Sequence, residues 1–306
     1  MTKILVIGAG AVGSWFAGQF HRAGYHVTLL ARGARLQGLR NEGLLAEQDG
    51  AALALPVSAC DWDSLPDTAD FTLLALKTYQ LEDALDSLAS AAPAVRSALV
   101  TLQNGIDAPD QCRRHFPDAH VIAARMHGFV QMEGPLVRHV GVPVSLAFGP
   151  WRSEEQGPSE AFATLLRSAA IGAMPAADIE AQLWEKFLLA ASSGSTGAAL
   201  GIRAGQLLDD VVGAVLLAEA MGDVARLAQH RGIAMPQDVV AHTLAFMRSF
   251  PPDATTSLQR DLDAGRPSEY GALTGAVLRI AAESGVEAPA FERIEALIRS
   301  RGISPA

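Results

Sequence analysis

Gly8-Ala9-Gly10-Ala11-Val12-Gly13 spells GxGxxG directly after a short apolar run and directly before an amphipathic one. In that context each glycine has a task. Gly8 permits the tight turn, Gly10 lets the backbone approach a pyrophosphate, and Gly13 allows a helix to pack closely on a strand. The helix that follows presents N–H donors and a partial positive charge to phosphates. The chemistry this implies is dinucleotide binding, with Gly8, Ala9, Gly10, Ala11, Val12 and Gly13 as the cradle. The end of the second apolar run reads Leu30-Ala31-Arg32-Gly33-Ala34-Arg35, without the acid that bonds an adenosine ribose in NAD sites. Arg32, 19 residues after Gly13, has the planar fork suited to a 2′-phosphate, and its competing role is a solvated loop arginine. NADP(H) is therefore the expected cofactor. Lys77 and Asn104 each follow an apolar run, at the strand ends where open α/β sheets bind ligands. A solvated loop lysine and an Asn-Gly turn are the alternatives at those two positions.

The elements that must carry these residues follow from periodicity. Residues 3–7, the stretch to about His21, and 26–31 read as strand, helix and strand, one βαβ unit. Apolar runs recur at 71–76, 98–102, 121–124 and 144–148, with a helical pattern at 79–92. This alternation predicts a Rossmann-type, mostly parallel sheet, its last two runs being candidates for antiparallel edge strands. Near residue 175 the texture changes to Ala-rich helical periodicity, at 179–200, 205–231, 236–249, 268–284 and 289–300. The expectation is an α/β protein with a cofactor domain over 1–174 and an all-helical substrate and catalytic domain over 175–306.

Composition excludes several alternatives. Among 306 residues, 49 % are apolar and 19 % charged, enough for two cores and contrary to disorder. Lys and Arg number 24 against 33 Asp and Glu; the resulting net charge of −9 argues against nucleic-acid or anionic-membrane partners. Cys60 and Cys112 stand far apart without ligand-type spacing, so neither a disulfide framework nor a metal site is expected. The charge-free run 4–20 could pass for a signal peptide, but four glycines interrupt it and its glycine-loop reading is better. The run 187–202 is too short for a membrane span. A cytoplasmic protein is expected, with the helices at 205–231 and 289–300 as candidates for a homodimer interface.

Taken in order, GAGAVG at 8–13, LLARG at 29–33, LLALKT at 73–78 and LQNGID at 102–107 resemble the ketopantoate reductase (2-dehydropantoate 2-reductase) family. RHVG at 138–141, WEKF at 184–187 and SLQRDLDAGRPSEY at 257–270 extend the resemblance over nearly the whole chain. It implies NADPH-dependent reduction of a 2-oxo acid to the 2-hydroxy acid, a step of pantothenate biosynthesis. By the same resemblance Lys186 is the catalytic lysine, Glu269 the acid that orients the substrate near it, and Ser257 the contact to the substrate carboxylate. Lys77 and Asn104 fall to the nicotinamide and substrate side of the cofactor pocket, and Asp261 to scaffold. Phe187, Leu188 and Leu189 beside Lys186 fit a desolvated lysine poised to give up a proton, although a lysine snorkelling from an amphipathic helix has the same flanks. Glu269 also suits the first turn of a helix, and Ser257 a helix cap.

The departures from the family pattern concern the substrate. Asparagines four and eight residues after the lysine are replaced by Ala190 and Gly194, and one three residues before the serine by Ala254. A site without those amides loses its hold on a substrate hydroxyl. The alternative expectation is therefore a reductase of a different 2-oxo acid, with Ser192, Ser193 or Ser195 as candidate substitutes. A non-catalytic NADP(H) sensor on the same fold is the competing reading from another class.

Overall fold

A computed structural model of the chain describes residues 1–48, 50–91, 98–152 and 156–303. Its backbone contacts divide it into two compact units, one of Met1–Gln103 with Asp107–Ile179 and one of Asn104–Ile106 with Glu180–Ala306.

The first unit is built on one sheet. Its strands are β1 (Lys3–Ile7), β2 (His26–Leu30), β3 (Leu44–Gln48), β4 (Ala51–Leu55), β5 (Ser58–Cys60), β6 (Phe71–Leu74), β7 (Ala98–Thr101), β8 (Val121–Glu133), β9 (Leu136–Pro150) and β10 (Gly172–Pro175). They lie in the order β4-β3-β9-β8-β7-β6-β1-β2-β5, with β10 beside β9. Five helices accompany them: α1 (Ala11–Arg22), α2 (Gly33–Glu42), α3 (Leu81–Ala91), α4 (Ala108–His115) and α5 (Gly157–Ser168). Helix α3 covers most of the 79–92 expectation after a 3-10 turn over Thr78–Gln80; residue 92 lies outside the described residues.

Strands β1, β2, β5, β6, β7 and β8 are mutually parallel, as the alternation predicts. β6 and β7 are buried along their whole length, the signature of a sheet covered on both faces. Leu29, Leu73, Val100, Ile122, Phe16, Phe20 and Phe162 are among the residues forming that core. β8 and β9 do pair antiparallel, but they are not edges. The β3–β4 hairpin, whose second strand is alanine-rich and carries a weak strand signal, continues the sheet past β9.

The chain runs outward from β1 to β2 and β5, then returns to place β6 on the other flank of β1. This reversal opens a crevice at the carboxyl ends of β1 and β6, the place where such sheets take ligands. Gly8 follows one strand there and Ala75-Leu76-Lys77 the other.

The second unit is helical: α6 (Ile179–Leu200), α7 (Val211–His230), α8 (Val239–Met247), α9 (Ser257–Asp263), α10 (Thr274–Ser284) and α11 (Pro289–Ser300). From Ala191 to Ala199 every residue of α6 is buried. The run of small residues there lets α9 come close. A Cβ at Gly194 would meet Thr256 Oγ1 at 3.2 Å, and one at Gly197 would meet Gln259 Oε1 at 3.2 Å. Gln259 closes this contact by donating to the carbonyls of Ile202 (2.9 Å) and Gly197 (3.3 Å). The Asp223 carboxylate on α7, 1 % exposed, accepts from the Ala290 and Phe291 amides at 2.9 and 3.2 Å. It thereby satisfies the first turn of α11 and fixes that helix to α7.

Among the described residues no helix is long and apolar enough to cross a membrane, and no group of His, Cys, Asp or Glu has metal-site geometry.

Candidate active site

In the first unit, the glycine loop has the shape its spacing predicts. Gly8 adopts φ +112°, and a Cβ there would sit 2.7 Å from the Ala75 carbonyl oxygen of the neighbouring strand end. A Cβ at Gly13 would lie 1.9 Å from the Gly8 carbonyl oxygen. At Gly10 a Cβ meets nothing within 4 Å, and the residue is exposed. Two glycines are thus demanded by packing, and the third leaves open room before the start of α1. Gly10 caps α1 without any side-chain hydrogen bond, so the first N–H groups of that helix have no side-chain cap. This room and these donors fit the diphosphate of a dinucleotide.

Arg32 caps α2 at the end of β2; it is exposed, and its guanidinium has no hydrogen-bond or ion-pair partner among the described residues. Lys77 is half-buried at the end of the β6 segment, just ahead of the 3-10 turn. Gln103, which sequence reasoning passed over, fastens the crevice: its Nε2 donates to the carbonyls of Leu74 at 2.8 Å and Leu76 at 3.3 Å. Nothing in its own spacing signals this, because the carbonyls belong to the end of β6 and the residues after it, 27 and 29 positions earlier.

In the second unit, Asn104 and Glu269 are brought together. Asn104 Nδ2 donates to Glu269 Oε2 at 2.9 Å, and Glu269 is only 3 % exposed. Gly105, at φ +92°, comes so near Ala272 that a Cβ would lie 2.8 Å from its carbonyl oxygen. The Asn-Gly pair therefore forms a turn, and the Asn104 amide in it reaches Glu269.

Glu269 does not stand in the first turn of a helix, contrary to expectation. α10 starts at Thr274, and Glu269 occupies the turn before it, its carbonyl accepting from Ala272 and Leu273 at 3.2 and 3.1 Å. Likewise the helix cap at α9 is Thr256, which accepts from the Gln259 amide at 3.1 Å, and Ser257 is the first helical residue, half-buried. Asp261 takes two bonds from Arg266, at 2.8 and 3.1 Å, consistent with a scaffold role. Lys186 is half-buried on α6, beside fully buried Phe187 and Leu188.

The family model of ketopantoate reductase PanE/ApbA matches residues 4–153, and that of its C-terminal part matches residues 178–302. The chain belongs to the ketopantoate reductase family. A 2-dehydropantoate 2-reductase of Mesorhizobium japonicum is 28 % identical, with 97 % of each chain covered. The crystal structure of a PanE/ApbA family ketopantoate reductase from Ralstonia eutropha superposes with a TM-score of 0.87 at 26 % identity, covering 98 % of both chains. D-mandelate dehydrogenase, solved with NADH and anilino(oxo)acetate, shares the fold at the same TM-score with 22 % identity and 98 % coverage of each chain. The family consists of oxidoreductases acting on a CH–OH or ketone group.

Within this ketopantoate reductase fold one departure on α6, Gly194, has a packing explanation. Lys186, Ala190 and Gly194 are four residues apart and share a helix face. The space beyond Gly194 is filled by Thr256 and Leu258 of α9, so a longer side chain there would displace them. Two of the three candidate serines are engaged within the protein. Ser193 donates to the Leu189 carbonyl at 2.6 Å, Ser195 shares a hydrogen bond with Thr274 at 2.6 Å, and Ser192 is fully buried. Ser193 reaches its own backbone, as a serine in a helix readily does, whereas the buried Ser192 hydroxyl has no hydrogen-bond partner among the described residues.

Proposed function

We propose that this chain reduces a 2-oxo acid to the 2-hydroxy acid with NADPH. The observation that supports this best is the Asn104–Glu269 hydrogen bond. It joins two residues 165 positions apart that the family resemblance had separately assigned to substrate handling. When bound, the cofactor supplies the hydride to the carbonyl carbon. Lys186 gives a proton to the carbonyl oxygen, and its ammonium stabilises the negative charge developing there. Glu269, held by Asn104, orients the substrate and the lysine. Ser257 bonds the substrate carboxylate. Lys77 lies toward the nicotinamide, and the loop from Gly8 to Gly13 takes the diphosphate. The preference for NADPH over NADH rests on Arg32, an exposed guanidinium without a protein partner where an NAD site would carry an acid.

A second reading concerns which 2-oxo acid. Ala190 and Ala254 offer no hydrogen bond to a substrate hydroxyl, and at Gly194 packing leaves no space for an amide. This favours a 2-oxo acid less hydroxylated than ketopantoate, and the shared fold of D-mandelate dehydrogenase is compatible with it. The test is a panel of 2-oxo acids, including ketopantoate and phenylglyoxylate, followed by loss of NADPH absorbance. Turnover of one or more supports the reductase. A ketopantoate rate far above all others would overturn the second reading, and tight NADPH binding with no turnover of any would leave a sensor.

A further inference from the structure

Arg35 stands on α2, three residues after Arg32, and unlike that of Arg32 its guanidinium has protein partners. Its Nε donates to the Ala9 carbonyl at 3.3 Å, Nη2 to the Ser14 hydroxyl at 3.0 Å, and Nη1 to the Pro135 carbonyl at 3.2 Å. The side chain is half-buried, and burial lowers the pKa of its guanidinium. All three acceptors are neutral, and Arg35 has no carboxylate partner among the described residues. A cation this enclosed normally sits against an anion.

Ala9 is the second residue of the glycine motif. Its carbonyl oxygen takes two donors, Arg35 Nε and the Ser14 hydroxyl at 3.2 Å, which fill its two lone pairs. The Ala9–Gly10 peptide is trans, so the Gly10 N–H points opposite to the Ala9 carbonyl. Holding that carbonyl inward, toward α2 and Ser14, therefore aims the Gly10 N–H outward. Gly10 itself is exposed, and a Cβ on it would meet nothing within 4 Å.

We infer that Arg35 is a positioning residue for the dinucleotide: through the Ala9 carbonyl it locks the peptide whose Gly10 N–H meets the cofactor diphosphate. It also leaves an uncompensated positive charge behind that loop. This rests on the cofactor assigned above, and it separates two arginines by task. Arg32 reads the 2′-phosphate and so distinguishes NADPH from NADH. Arg35 acts on the part the two dinucleotides share and cannot distinguish them.

The test is titration of Arg35→Met, Arg35→Lys and Ser14→Ala with NADPH and with NADH, by quenching of tryptophan fluorescence. Amide hydrogen exchange at Gly10 in the cofactor-free protein is the second readout. Arg35→Met is expected to raise both dissociation constants about tenfold, leaving their ratio unchanged, and to speed exchange at Gly10. Arg35→Lys keeps the charge but not the fork, so it should recover only part of the loss. Ser14→Ala, which removes the other donor to Ala9, should move both constants the same way by a smaller factor. It also carries the test if Arg35→Met does not fold. Unchanged constants in Arg35→Met, loss confined to NADPH, or full recovery by lysine would each overturn the positioning role. A wild-type protein that binds neither dinucleotide would instead overturn the cofactor assignment along with it.

Discussion

The Asn104 amide reaches Glu269 Oε2 at 2.9 Å, and the acid it reaches is almost wholly buried. The donor lies in a glycine turn after β7, and the acceptor in the turn before α10. The pair is therefore set by tertiary packing, and changing its donor should disturb substrate handling selectively. Asn104→Asp keeps the shape but sets two carboxyl groups at hydrogen-bond distance, where both cannot ionise together. One proton shared between them restores a donor. Activity of Asn104→Asp relative to wild type is expected to rise as pH falls from 8 to 5.5. A flat ratio across a kcat/KM profile would refute the coupling.

Lys186→Ala should abolish turnover while leaving NADPH affinity within a few-fold, because the proton donor is not what holds the cofactor. A residual rate near wild type would exclude Lys186 as the donor.

Gly10 and Gly13 make a matched pair. Gly13→Ala drives a Cβ to within 1.9 Å of a backbone oxygen, so it should lower the melting temperature and weaken cofactor binding together. Gly10→Ala meets no protein atom within 4 Å, so it should leave stability unchanged and still weaken binding by occupying the diphosphate's approach. Thermal melts beside NADPH titrations separate the two.

Burial, the leading cause, raises the Asp223 carboxyl above the ordinary aspartate value, although the Phe291 and Ala290 amides and Arg226 pull it down. The folded protein thus holds this proton more tightly than the unfolded chain. Its contribution to stability is complete below the unfolded value and declines as pH rises through the raised folded value. Urea denaturation of Asp223→Asn should lose that decline. Asp223→Ala removes the acceptor for two α11 amides and should cost about 1–3 kcal/mol.

Both cysteines should be inert in the native protein. Burial pushes the Cys60 thiol up to about 11 and the Cys112 thiol to about 12, so neither is a thiolate at neutral pH. A disulfide reagent is expected to titrate them only in denaturant. Fast labelling of the folded protein would contradict that protection.

Much of the molecule could be read from local pattern. GxGxxG between an apolar strand and an amphipathic helix dictates its own loop, because only glycine tolerates the turn at Gly8 and the contact at Gly13. The parallel strands and the helices α6 and α11 follow from uninterrupted apolar runs and Ala-rich periodicity, both short-range properties. The hairpin β3–β4 escaped because its alanines carry almost no strand preference. Glu269 was placed in a helix because a turn and a first helical turn share the same residue types.

Tertiary structure decided whatever depends on partners distant in sequence. Arg35 and Arg32 look interchangeable in the sequence, yet one turns inward to Ala9, Ser14 and Pro135 and the other is left free. The serines of α6 read as candidate donors, and packing gave two of them to the protein itself and buried the third. Side-chain direction and hydrogen-bond satisfaction are settled between segments, so no single segment encodes them. The sequence alone determined which chemistry the chain carries; the fold chose which of two arginines is available to a ligand, because only one could find neutral acceptors within reach.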